Sequence, residues 1–207
     1  MKILLLGASG RVGRHMMRQS QGNGSLVHAL VRKPIANGNF PDGVTFIPGN
    51  IFEPGILKKI FAEEKYDAVV NVLGGGLEKS TVVTDSTRLV VESTSSLAPM
   101  RYVGISVLTL MPKNVPGSIT AFILSSTFLK HVDRDHYGAL ESLRSSNLDW
   151  AMVACGRITD GEGGASITQS ERFTGGYRQI QTGDVAREIW RELVDPKHHM
   201  IAFGAWA

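Results

Sequence analysis

Lys2-Ile3-Leu4-Leu5-Leu6-Gly7-Ala8-Ser9-Gly10-Arg11-Val12-Gly13 is the stretch whose reading decides the fold. A run dominated by Ile and Leu reads as a parallel strand buried on both faces, because a strand with one wet face would alternate apolar and polar residues. Three glycines follow it in the spacing Gly-x-x-Gly-x-x-Gly and lead into an apolar helical stretch. Gly7 suits the tight exit from the strand, Gly10 lets backbone approach a pyrophosphate, and Gly13 lets the new helix pack closely on the sheet. The free N–H groups and positive end of that helix then hold the anion, so Gly7, Ser9, Gly10, Arg11, Val12 and Gly13 are the expected cradle. Glycines alone fit an empty turn equally well; the strand before them and the helix after them supply the context the motif needs.

Outward from that unit, strands alternate with helical stretches. Strand two is expected over Leu26 to Val31, strand three over Val44 to Ile47, strand four over Ala68 to Val72, strand five over Arg101 to Ile105 and strand six over Asp149 to Val153. The helices between them are expected near Val12–Ser20, Pro54–Phe61, Thr81–Leu97, Ile119–Leu129 and Asp135–Ser145, with a last one opened by Thr182 as its cap. This order implies an α/β chain of Rossmann type: a doubly wound parallel sheet in a single domain, residues 1–207, with a small C-terminal substrate-side region. A hairpin is expected there, one arm near Ser166 to Thr174, a turn at Gly175-Gly176, and Tyr177 to Ile180 returning.

The composition is that of an ordinary globular protein, with 207 residues, 43% hydrophobic and 20% charged. The formal charge is only +3 and Lys and Arg form no dense run, which argues against a nucleic-acid surface while suiting an anionic small ligand. A single Cys155 excludes an intrachain disulfide. No apolar run is long enough to span a bilayer and no signal-peptide pattern is present, so the expected location is the cytoplasm, without a membrane. His198 and His199 are adjacent and no cluster has metal-ligand spacing, so no metal is expected.

Strand two ends in Arg32-Lys33-Pro34, where this fold meets the adenosine ribose. A carboxylate there would accept bonds from both ribose hydroxyls; a guanidinium instead grips a 2′-phosphate by paired, charge-assisted bonds. Arg32 and Lys33 therefore favour NADP(H). Strand four runs into Leu73-Gly74-Gly75-Gly76, and glycines at the carboxyl end of a central strand leave room for a ligand against bare backbone. Strand five delivers Ser106 to the same edge. The apolar loop from Leu108 to Gly117 either floors an aromatic substrate or simply packs.

Together these segments resemble the short-chain dehydrogenase/reductase superfamily, in its atypical NAD(P)H-binding branch of flavin reductase and biliverdin-IXβ reductase-like proteins. The resemblance covers nearly the whole chain. It implies that Asn50 and Ile51, in Pro48-Gly49-Asn50-Ile51, lie against the adenine, with Asn50 where the family has Asp. It implies that Leu73, Gly74 and Gly75 pass beside the ribose and pyrophosphate. Ala154-Cys155-Gly156-Arg157-Ile158-Thr159-Asp160-Gly161 is similar to the branch's Arg-Pro-Gly-x-Leu-Thr-Asp-Gly loop, which lies where nicotinamide and substrate meet. Cys155 stands in place of Pro there and Arg157 becomes a candidate for binding an anionic substrate or a cofactor phosphate. The His that biliverdin-IXβ reductases carry near this point is missing.

Most relatives pair a Tyr with a Lys one helical turn on, which lowers the phenol's pKa so that it can protonate a carbonyl. In this chain Tyr66, Tyr102, Tyr137 and Tyr177 are followed at that spacing by Val70, Ser106, Glu141 and Gln181. The pair is absent, leaving Ser106, Arg157 and Tyr137 as candidate catalytic residues. The expected activity is NADPH-dependent hydride transfer to an electron-poor ring such as a flavin or quinone, which needs little side-chain acid catalysis. The alternative is a non-catalytic NADP(H) sensor with a protein partner.

Overall fold

The computed structural model describes residues 1–33, 40–76, 79–112, 129–173, 176 and 178–207. The opening strand β1 (Lys2–Leu6) sits in the middle of an eight-stranded sheet of order β3-β2-β1-β4-β5-β6-β10-β8. Its neighbours are β2 (Leu26–Val31) and β4 (Ala68–Asn71); β3 (Val44–Pro48) lies beyond the first, β5 (Arg101–Val107) and β6 (Asp149–Cys155) beyond the second. All of these run parallel, and so does β10 (Ile201–Trp206) on β6. Only β8 (Thr168–Ser170) is antiparallel, pairing Gln169 with Ala205 of β10. Strand order reverses between β1 and β4, which makes that edge the binding crevice of a doubly wound fold.

The buried run of β1 serves two cores at once. Ile3 and Leu5 face α1 (Arg11–Gln19) and α5 (Thr182–Val194), through Met16, Met17, Val185 and Ile189. Leu4 and Leu6 face α2 (Ile56–Glu63), α3 (Val82–Thr94) and α4 (Lys130–Arg144), through Leu57, Val90 and Leu140. Side chains of a strand alternate between faces, so the unbroken Ile/Leu run follows from helices on both sides. Trp190 of α5 donates its indole N–H to the Met16 carbonyl at 3.1 Å and ties α5 to α1.

The C-terminal quarter departs from expectation. No hairpin forms among the described residues: β8 pairs with β10, and β9 (Gln179–Gln181) pairs in parallel with β7 (Arg157–Thr159) in a separate two-stranded ribbon. Gly175 of the expected hairpin turn and the helix at 119–128 fall outside the described residues, and α4 begins at Lys130 rather than Asp135. Thr182 is not the cap of α5, which is Gln181; the Thr182 hydroxyl instead bonds both the carbonyl and the amide of Gly161, tying the helix start to the loop after β7. His198 and His199 precede β10 and meet different carboxylates, Glu192 and Asp149, each at 2.8 Å. Among the described residues no group could hold a metal ion, and no helix is long and apolar enough to cross a membrane.

Candidate functional site

The turn after β1 is built for close approach. Gly7 has φ +86°, and a Cβ there would lie 2.8 Å from the Val72 backbone; a Cβ on Gly13 would run into the Gly7 carbonyl and the Ala8 backbone. Both glycines are therefore required by geometry, one for the left-handed turn and one for the packing of α1 against it. Gly10 caps α1 without any side-chain bond, and no acidic residue occupies the first turn. The amides of Arg11, Val12 and Gly13 precede the first intrahelical bond, Arg14 N–H to the Gly10 carbonyl at 3.1 Å. An uncapped, positively polarised helix end beside bare glycine backbone fits a pyrophosphate. The Arg11 side chain points elsewhere: it pairs with Asp160 at 3.0 Å and joins α1 to the segment after β7. Its share in the cradle is its backbone amide.

Beside this turn lies a cleft of about 190 Å³ lined by Gly7, Ser9, Arg32, Asn50, Ile51, Leu73 and Gly74 among others. The sequence-predicted adenosine-side residues are thus brought to one place. Arg32 and Lys33 are exposed at the end of β2, and neither pairs with a carboxylate among the described residues. Asn50 shapes its own turn, its Oδ1 accepting the Phe52 amide at 3.2 Å, while the residue still lines the cleft. Lys33 and Gly75 are not among the residues lining the cleft, and a Cβ on Gly75 would strike the Ser80 hydroxyl. A wider groove of about 500 Å³ lies at the far end of α1, lined by Gln19, Trp190 and Val194 among others, and none of the predicted site residues borders it.

The loop after β4 is fixed by a network the sequence reading did not identify. Asn71 donates to Ser86 at 2.9 Å and Thr87 at 3.4 Å, and its Oδ1 accepts the Leu73 amide at 3.2 Å. Thr87 in turn bonds the Tyr102 hydroxyl at 2.9 Å. An Asn inside a strand that is otherwise apolar was the available signal, because a buried amide needs partners.

At the end of β5, Ser106 is 1% exposed and its hydroxyl has no partner among the described residues. Cys155 does not present its thiol to the site. The side chain belongs to the core beneath it, and burial, reinforced by Glu188, pushes the thiol up to about 12. Tyr137 is 52% exposed on α4, its neighbour one turn on is Glu141, and no described residue holds its phenol in an acid's position. Arg157 is exposed on β7, its amide bonded to the Arg178 carbonyl at 3.0 Å. Arg178 itself stacks over the Trp206 ring at 5.1 Å, a cation–π contact no local pattern foreshadowed. Leu108 and Met111 of the following loop are buried with Phe173 and Trp206, so these two pack rather than floor a substrate.

Sheet order, glycine cradle and basic rim define a dinucleotide-binding α/β protein. A model of the NAD(P)H-binding family matches residues 7–196, and the chain belongs to that family. Its cofactor is NAD(P)H. Among solved structures, a Streptococcus pneumoniae protein provisionally named an NADH-flavin reductase is 21% identical, with 100% of this chain and 99% of that one covered at TM-score 0.82. A wide-type short-chain dehydrogenase/reductase from Veillonella parvula in complex with NADP is 16% identical, covering 100% and 94% at TM-score 0.76. An anaerobilin reductase from Escherichia coli O157:H7 is 18% identical, covering 100% and 97% at TM-score 0.76. These likenesses establish the fold. No significant match is found among curated proteins.

Proposed function

We propose that this chain, acting over residues 1–207 as one NAD(P)-binding unit, is an NADPH-dependent reductase that passes hydride directly to a small electron-poor aromatic acceptor such as a flavin or quinone. The observation that carries the reading is that none of three candidate acids among the described residues is placed as one: Ser106 is buried, Cys155 is locked as a thiol, and Tyr137 is turned to solvent. Carbonyl reduction needs such an acid, whereas an acceptor ring takes its proton from water or through its own heteroatoms.

When bound, the dinucleotide supplies the hydride. The residues themselves do three things. The amides of Arg11, Val12 and Gly13 bind the pyrophosphate; Arg32 and Lys33 hold the 2′-phosphate; Asn50, Ile51 and Leu73 wall the adenosine half. Arg157, exposed at the acceptor side, favours a substrate carrying an anionic group. A structural neighbour from Escherichia coli is an anaerobilin reductase and one from Streptococcus pneumoniae bears a flavin reductase name, which agrees with an aromatic acceptor.

The same observation supports the second reading, a non-catalytic NADP(H) sensor that binds a protein. Steady-state NADPH oxidation with a panel of flavins and quinones separates the two. Turnover above background with at least one acceptor is expected. Tight NADPH binding with background rates throughout overturns the reductase in favour of the sensor.

A further inference from the structure

Arg157, which the proposed reading sets at the acceptor side, stands on a ribbon that is not part of the main sheet. β7 pairs with β9 alone, and among the described residues neither strand forms a ladder with the eight-stranded sheet. Ile158 and Ile180 pack on the core beneath, and the Ala207 amide bonds the Gln179 carbonyl at 3.1 Å. Apolar packing holds the ribbon down but is non-directional, so it leaves the sideways position of the ribbon open. That position is decided by the segment after β7, from Asp160 to Gly164.

One side of this segment is bolted to the start of α5. The Gly161 carbonyl accepts the Gly183 amide at 2.9 Å and the Thr182 hydroxyl at 3.0 Å, while the Gly164 amide donates to Asp184 at 2.7 Å. The other side meets α1. Arg11, His15 and Arg18 follow one another at spacings of four and three, which puts them on one stripe of the helix. Asp160 pairs with Arg11 at 3.0 Å, and Glu162 lies 3.6 Å from both His15 Nδ1 and Arg18. Arg11 also donates to the Ile158 carbonyl of β7 itself at 3.5 Å. The helix that offers its first amides to the pyrophosphate thus carries the ribbon on its flank.

We infer that Asp160 and Glu162 are positioning residues: they fasten the acceptor-side ribbon to the helix that holds the dinucleotide, and so fix where Arg157 stands. The inference rests on the proposed reductase reading for the role of Arg157. Each pair is exposed and weak by itself, but contacts of both acids on one short segment act as a network.

Steady-state reduction of FMN by NADPH tests it in the double variant Asp160→Asn, Glu162→Gln. The KM for FMN is expected to rise about 3- to 10-fold, with kcat held and NADPH affinity not reduced. The sign discriminates, because FMN carries a phosphate and the loss of two acids would by charge alone lower its KM. Exchanging the charges, Arg18→Glu with Glu162→Lys, is expected to restore the KM that Glu162→Lys alone raises. An FMN KM that is unchanged or lower in the double variant overturns the inference. So does an exchange of charges that restores nothing, or an equal loss of NADPH affinity, which marks damage to α1. Hydrogen exchange needs no acceptor: the amides from Ile158 to Gly164 are expected to open about 3- to 10-fold more readily in the double variant, with those of β1 unchanged. Identical exchange in the two proteins overturns the fastening. If the unaltered protein reduces neither flavins nor quinones, the reductase reading fails and the positioning role with it, while the exchange rates still decide whether the two acids tie the ribbon to α1.

Discussion

Replacing Arg32 and Lys33 together by Ala is expected to weaken NADPH selectively. Both side chains are exposed at the tip of β2, Arg32 lines the cleft, and no carboxylate among the described residues competes for them. No ion pair among the described residues is therefore lost on their removal, and the change in affinity reads the phosphate contact. A charge-assisted hydrogen bond is worth about 1.5–3 kcal/mol when sheltered. Exposure reduces this, so about 1–2 kcal/mol is assigned to the forked Arg32 and about 0.2–1 kcal/mol to the point charge of Lys33. The sum, about 1–3 kcal/mol, corresponds to a roughly 5- to 150-fold loss for NADPH. NADH, which lacks the phosphate, is expected to change by less than about twofold. Calorimetry of the double variant with each dinucleotide at about 0.15 M salt measures both, and the single variants divide the effect. Because an exposed pair is screened, the NADPH preference of the unaltered protein also falls at higher salt. An equal loss for both dinucleotides, or a preference that survives the double substitution, refutes the assignment of the phosphate to this rim.

Gly13→Ala is expected to cost about 1–3 kcal/mol of stability and to abolish tight NADPH binding, since the added methyl meets only backbone of Gly7 and Ala8 and α1 must lift off the cradle; thermal melts and calorimetry report both, and a protein that melts and binds normally contradicts the geometry. Arg101 is buried between Asp149 and Glu192, both at 3.0 Å, so Arg101→Met leaves the buried Glu192 carboxylate with His198 and two backbone amides but without its guanidinium, and should destabilise by about 1.5–3 kcal/mol in urea. Its NADPH affinity, measured on folded protein, should hold, because Arg101 opens β5 at the edge opposite the site. Tyr102 is buried and its phenol is pushed up to about 12, chiefly by burial. Below pH 10 it is protonated in both states and adds no slope; between about 10 and 12 the unfolded chain loses a proton the folded chain keeps, so stability falls by about 1.4 kcal/mol per pH unit. Urea melts at pH 8, 10 and 11 should show a shallower alkaline decline for Tyr102→Phe, and identical slopes would exclude the phenol as the cause.

The sheet was legible because its signals are local. An Ile/Leu run, a glycine triplet and a basic strand tip each declare their surroundings within a few residues, and Gly7, Ser9 and Arg32 line one cleft. What stayed hidden depends on distant partners. Thr168-Gln169-Ser170 lies within the arm expected over Ser166 to Thr174, but its partner is the distant edge of Gly204, Ala205 and Trp206 and not a hairpin mate. Nothing local in the sequence marks Asp184 and Glu188 for the core. Both are nevertheless fully buried: Asp184 accepts the Gly164 amide at 2.7 Å and Glu188 accepts the Gln169 side chain at 2.6 Å. His136 looks like one of several basic residues between Lys130 and Tyr137, and only its burial separates it from the exposed His131. Arg11 shows the same limit, since it opens α1 while Asp160, far along the chain, decides where its guanidinium goes.

The placing of β10 between β6 and β8 has a consequence for how the molecule is made. Residue Ile201 pairs with Ala151, so the side of β6 stays unzipped until a segment synthesised much later arrives to close it. In the interval Ala151, Met152 and Val153 offer a bare apolar rim that any extended peptide can latch onto, including a sister chain in the same condition. Substitutions that slow the docking of Ile201–Trp206 will therefore surface first as clumping during expression, before they register as any lowering of the finished protein's melting point.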